Sequence, residues 1–493
     1  MNSNRRLPFS SVLRPISAMR RPLHLALPVF VACAASVFAA PAADRTKATP
    51  PTALDRYVAA PDSNYHWEVV TNFVQPGVKV FVLGLTSQQW LTSKEVNKPL
   101  WKHYLTVAVP DKTTNHTALL VISGGSNEKS APTKADGTIT MIAMSANTVV
   151  ANLNNIPSEP LLFPDRTNTL TEDGIIAYTW DKFLRTGDEK WPLRLPMTKA
   201  AVRAMDTITA FCGSEAGGKR KVEKFFVTGA SKRGWTTWTT AIVDPRVMGI
   251  GPIVIDALNV EPSLIAHYNS YGFFAPAVGN YTKEHIPDWM GTPECRKLMQ
   301  IEDPFEYRAR LTLPKLIITA TGDQFFPTDS AQFYFNQLPG MKYLRTVPNS
   351  DHGMKGTESW MSLLAFYYTL VNGLPLPQFD WKNEAPGEVR VTAKTEPFEV
   401  NLWTATNPDA RDFRLETLGP VWKSSEVKVE KSGRYTVRVP KPAKGWTAYF
   451  VELKFSSDMM SPHIFTTDAR VVPDVRPHQW VKPKSPPASS AGQ

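Results

Sequence analysis

The chain has 493 residues, 42% of them hydrophobic and 11% aromatic, which is enough apolar matter for a large core and two or three domains. Its formal charge of +10 is concentrated at the start: residues 1–42 hold Arg5, Arg6, Arg14, Arg20 and Arg21 and no acid, so the remainder carries only +5. The remainder has no basic stripe interleaved with aromatics and hence no nucleic-acid surface, and its two cysteines, Cys212 and Cys295, have no neighbours at metal-ligand spacing.

Residues 1–42 read as a secretory signal peptide, since Arg20 and Arg21 precede an apolar run at 23–40 and small residues follow. Cleavage after Ala39 or Ala42 meets the small-residue requirement, and a start at Met19 would give a compact leader. No second run is long enough to span a membrane. The mature protein is therefore expected to be secreted or periplasmic, in a compartment that permits Cys212 and Cys295 to pair.

After a polar lead-in, residues 66–70, 78–90 and 103–109 are rich in Val, Leu, Thr and aromatics and predict the antiparallel start of a sheet. Beyond Asp111 the period changes. Short apolar runs at 118–122, 147–153, 224–228, 249–255 and 315–320 alternate with helical patterns at 172–185, 198–211, 233–243, 330–338 and 358–371. Such alternation predicts right-handed crossovers and an α/β fold, a mostly parallel sheet flanked by helices over residues 43–376. Residues 256–312 interrupt it with an aromatic, Pro-containing insertion, expected to form a lid or pocket wall, with a packed helical excursion as the plain alternative. From 377 to 473, runs at 389–393, 398–405, 413–417, 426–429, 435–439, 448–455 and 464–472 predict an antiparallel β-sandwich, immunoglobulin-like or fibronectin-like. The Pro-, Ser- and Lys-rich tail, 474–493, is expected to be disordered.

The chemistry centres on KFFVTGASKRG, Lys224 to Gly234. An apolar strand cut off by small residues before a helix is the build of a nucleophile elbow, which makes Ser231 the candidate nucleophile. The pattern departs from G-x-S-x-G, because Arg233 takes the second glycine position and Gly234 follows one place later. A serine needs a base and a carboxylate to orient that base. Asp323 follows the apolar run 315–320 and His352 follows the next strand, 343–347, so Ser231, Asp323 and His352 arrive in the chain order of such hydrolases. Asp256, Asp329 and Asp351 are the alternative acids. The amide of Lys232, with that of Gly125 or Ser126 in the loop after 118–122, would form the oxyanion hole. Arg233, Trp235, His267 and Tyr271 are the candidate substrate contacts. The cations Lys232 and Arg233 either favour an anionic transition state or a carboxylate-bearing substrate, or pair with structural acids.

The blocks GASKRGWTTW, VDPRV, VIDALN, TGDQFFP, ATNPDARDFR and GWTAYFVEL resemble the PhoPQ-activated pathogenicity-related protein family, of the PqaA type, over nearly the whole mature chain. The resemblance implies a secreted or periplasmic α/β-hydrolase-like protein associated by family name with a virulence regulon. Family members also resemble a secreted autocrine proliferation repressor, and no settled substrate is implied. The elbow alone is similar to the G-C-S-R-x-G form of glucuronoyl esterases, with Ala230 in place of the cysteine. The expectation is an exported serine hydrolase, without cofactor or metal, acting on an ester or peptide bond in a bulky or carbohydrate-linked substrate. Two alternatives are a prolyl-peptidase-like enzyme and a non-enzymatic secreted signalling or surface-binding protein whose sandwich takes a protein or glycan partner.

Overall fold

The computed structural model of the protein describes residues 50–430 and 433–483. The expected leader at 1–42 and residues 484–493 lie outside the described residues.

Three long strands, β1 (His66–Gln75), β2 (Val78–Gln89) and β3 (Leu100–Pro110), form an antiparallel start. Then come β4 (Thr117–Ile122), β5 (Val149–Leu153), β6 (Lys224–Ala230), β7 (Val247–Ile253), β8 (Lys315–Ala320) and β9 (Lys342–Val347). These six are mutually parallel and nearly all buried, as strands covered on both faces must be. The strand order is β1-β2-β3-β5-β4-β6-β7-β8-β9. An antiparallel lead, one inversion of β4 and β5, and a run of right-handed crossovers make this an α/β-hydrolase fold.

One face of the sheet is covered by the helices Glu172–Thr186, Arg194–Gly213 and Lys232–Val243, the other by Gly137–Ala146 and Ser359–Val371. Local chemistry sets their ends. The Asp136 carboxylate accepts from the amides of Thr138 and Ile139 to start one helix, and Asn147 ends it in the left-handed region at φ 49°. The helix expected over 330–338 is instead two short 3-10 turns, Ser330–Phe333 and Phe335–Gln337, because Tyr334 between them turns inward to donate to Asp256 at 2.6 Å.

The C-terminal region is a sandwich. One sheet is β10 (Phe379–Ala385), β11 (Glu388–Ala393) and β14 (Arg434–Arg438). The other is built on β12 (Glu399–Asn407), β13 (Lys423–Glu426) and β15 (Trp446–Phe455), with β16 (His463–Thr466) and β17 (Arg470–Val472) end to end along one edge of β15. This sheet joins the hydrolase sheet: Thr466 of β16 pairs with Leu344 of β9, and Arg345 donates to Glu452 at 2.8 Å with both side chains buried. The strand expected at 413–417 has no ladder. The amide of Leu415 bonds the carbonyl of Gly322 instead, so a sandwich loop buttresses the segment that carries Asp323.

Within the tail expected at 474–493, residues 474–483 run over the insertion. The His478 amide donates to Asn269 O (3.1 Å), the Trp480 amide to Asn269 Oδ1 (2.5 Å) and Lys482 Nζ to Gly291 O (2.7 Å). Arg476 meets Asp329 at 3.0 Å. Cys212 and Cys295 are separate buried thiols, not a disulfide, and burial pushes both up to about 12. Among the described residues no helix is long and apolar enough to cross a membrane.

Candidate active site

Strand β6 ends in a sharp turn at Ser231, which sits at φ 58° and ψ −128° just before the helix Lys232–Val243. A non-glycine residue held there costs about 1–3 kcal/mol and is kept by its surroundings. The two glycines show why the motif is shifted. A Cβ on Gly229 would lie 2.8 Å from the carbonyl of Arg233, and one on Gly234 would lie 2.9 Å from Gly229 O and 3.0 Å from Ile253 O. The close approach of helix to strand therefore falls at 234, one residue later than in G-x-S-x-G.

Ser231, His352 and Asp323 come together at the ends of β6, β9 and β8. Asp323 takes a hydrogen bond from the Phe325 amide at 2.8 Å and two contacts from His352 Nδ1, at 2.9 and 3.1 Å. A carboxylate only accepts, so Nδ1 carries the proton and Nε2 is left to accept from Ser231 Oγ, 2.8 Å away. Asp256 lies apart from this chain. Its carboxylate is bonded by Tyr334, and burial pushes it up to about 7.

Lys232 opens the helix, so its amide has no carbonyl to bond within that first turn. Ile122 pairs with Gly229, which sets the loop 123–126 beside the elbow. Among the described residues the amides of Gly125 and Ser126 have no intramolecular acceptor. A Cβ on Gly124 would lie 2.3 Å from Arg233 Nη2, so this loop rests against the guanidinium.

The two cations after Ser231 are both committed to acids. Lys232 pairs with Glu172 and lies 3.4 Å from Asp173. Arg233 donates to the carbonyl of Ile156 and, at 2.6 Å, to Glu172. Burial raises the Glu172 carboxyl, but Arg233 and then Lys232 outweigh it and hold the group at about 2. Arg233, expected as a substrate contact, is thus a brace between the elbow and the helix Glu172–Thr186.

A cavity of about 60 Å³ opens beside Ser231, walled largely by apolar side chains. Trp235 and His267, two of the candidate substrate contacts, line it. His267 is fixed neutral: its Nδ1–H donates to Phe325 O (3.1 Å), its Nε2 accepts from the Ala275 amide (2.9 Å), and burial pushes it down to about 4. Tyr271 does not reach the cavity; it packs against the His267 ring at 4.8 Å and under Arg414 at 5.0 Å. The insertion supplies Val260, Leu264 and Val278 to the wall. The sequence did not single out Arg194 and Glu302, a fully buried pair at 3.3 Å whose arginine lines the cavity and also donates to the Lys232 carbonyl at 2.7 Å. The position of Arg194 between Pro192 and Pro196 gave no helical signal, and its partner lies 108 residues away.

The family model described as PhoPQ-activated pathogenicity-related protein matches residues 54–414. The chain belongs to this family. Autocrine proliferation repressor protein A of Dictyostelium discoideum is 35% identical over 455 residues, covering 86% of this family member and 91% of the relative. Among solved structures the family member is similar to an acetyl xylan esterase from Paenibacillus sp. R4, with TM-score 0.45, 12% identity, and 64% and 92% of the two chains covered. It is also similar to acetyl xylan esterase 1 from Thermoanaerobacterium sp. JW/SL YS485, with TM-score 0.42, 14% identity, and 65% and 91% covered.

Proposed function

We propose that this family member is an exported serine hydrolase that cleaves an ester or peptide bond by acyl transfer through Ser231. The observation that carries the reading is the hydrogen-bond chain from Asp323 through His352 to Ser231, on a serine held at positive φ. Ser231 Oγ attacks the carbonyl carbon while its proton passes to His352 Nε2, and Asp323 stabilises the imidazolium. The oxyanion meets the amide of Lys232 and that of Gly125 or Ser126. His352 returns the proton to the leaving group as its bond to carbon breaks. Water, deprotonated by His352, then releases the acid and restores the serine.

A fluorophosphonate probe tests this. Label is expected on Ser231 of the wild-type protein and absent from Ser231→Ala and His352→Ala; a folded, unlabelled wild type would count against an activated serine. A second reading is favoured by the name of the 35% identical relative: a secreted repressor of proliferation that does not use catalysis. It requires that any such activity survive Ser231→Ala.

A further inference from the structure

The cavity borders Ser231 but not His352. Phe325 lines it and also packs on the imidazole, ring centroids 4.4 Å apart, and so stands at the boundary between cavity and base. In acyl transfer the departing alcohol must receive its proton from the histidine, so it leaves on the His352 side and the acyl group lies on the other. His352 keeps 18% of its side chain exposed, whereas the cavity is walled by Ile176, Trp180, Trp235, Leu264, Val278 and Phe326.

Volume and charge limit what fits. A cavity of about 60 Å³ has room for a short chain and not for a long one. The charges at its wall are matched one for one, Lys232 by Glu172 and Asp173 and Arg194 by Glu302, while Arg194 Nη2 has no acceptor among the described residues. A substrate carboxylate would add an uncompensated negative charge to this balanced set, and its burial would be costly.

We propose that this cavity is the acyl pocket of Ser231 and that the protein hydrolyses esters of short, uncharged acids, of roughly two to four carbons, with a permissive alcohol side. The proposal rests on the serine-hydrolase reading. The ester C–O bond breaks to the alcohol, which takes the proton from His352, and the short acyl group on Ser231 is then transferred to water.

The test uses the purified full chain with p-nitrophenyl acetate, butyrate, octanoate and laurate, and with 4-methylumbelliferyl acetate to vary the alcohol. The expected result is a fall in kcat/KM of about tenfold or more between butyrate and octanoate, with the two acetates within a few-fold. Leu264→Ala, which removes one wall of the pocket, should move the cut-off toward octanoate. Equal turnover of acetate and octanoate by protein whose Ser231 takes the fluorophosphonate would overturn the pocket assignment and leave the hydrolase reading standing. No turnover and no label on folded protein would overturn both.

Discussion

The guanidinium of Arg233 meets the carboxylate of Glu172 at 2.6 Å, two residues past Ser231 yet turned away from the cavity. It also bonds the Ile156 carbonyl and supports the loop 123–126, so one side chain ties together the turn at Ser231, that loop and a flanking helix. Arg233→Met should lower stability by about 2–3 kcal/mol, less than for a fully buried pair because the Glu172 side chain is 40% exposed. Urea unfolding measures this. The Ser231 labelling rate should fall as well, since the loop 123–126, proposed to donate to the oxyanion, loses its support.

Asp323, not Asp256, touches His352. Asp323→Asn should keep the fold and reduce kcat by about 10⁴, the scale set by a wrong imidazole tautomer. Asp256→Asn should leave kcat within about tenfold, because the amide can still accept from Tyr334. Steady-state ester kinetics on the two variants decide between the acids.

The C-terminal strap holds the helix Val260–Tyr271 through Asn269, and that helix supplies Val260, Leu264 and His267 to the cavity. Truncation after Pro473 removes these bonds and the contact of Arg476 with Asp329. Hydrogen exchange should then quicken in Val260–Tyr271 by tenfold or more, about 1.4 kcal/mol of local opening, while the central strands stay protected. Equal exchange in both proteins would show that the strap does not brace the insertion.

Buried His103 lies between Ser87 Oγ (2.9 Å) and Asn154 O (3.2 Å), and burial pushes it down to about 4. An unfolded histidine takes a proton near pH 6.5. Between these values the unfolded chain binds a proton that the folded one refuses, so stability is full above pH 6.5 and is lost as pH falls toward 4. At pH 5 the loss is about 2 kcal/mol. Urea unfolding of wild type and His103→Gln at pH 7.5 and pH 5 should show the wild type losing that much more than the variant.

The sequence by itself determined the α/β alternation, the sandwich, the elbow and the order Ser231, Asp323, His352. Each of these depends on the local period of apolar residues or on chain order, and a strand end places its next residue at the sheet edge whatever packs around it. Only the tertiary structure decided where the side chains went. Arg233 and Glu172 are 61 residues apart, Arg194 and Glu302 108, and Asn269 and Trp480 211. No local pattern records such pairings. They decide that the cations beside Ser231 brace the fold, that Tyr271 stays behind His267, and that residues 474–483 are tied down. The cavity is of the same kind: its size and its side of Ser231 come from packing between the sheet and an insertion. That packing is set by shape and charge complementarity between distant segments, which no single stretch of chain contains.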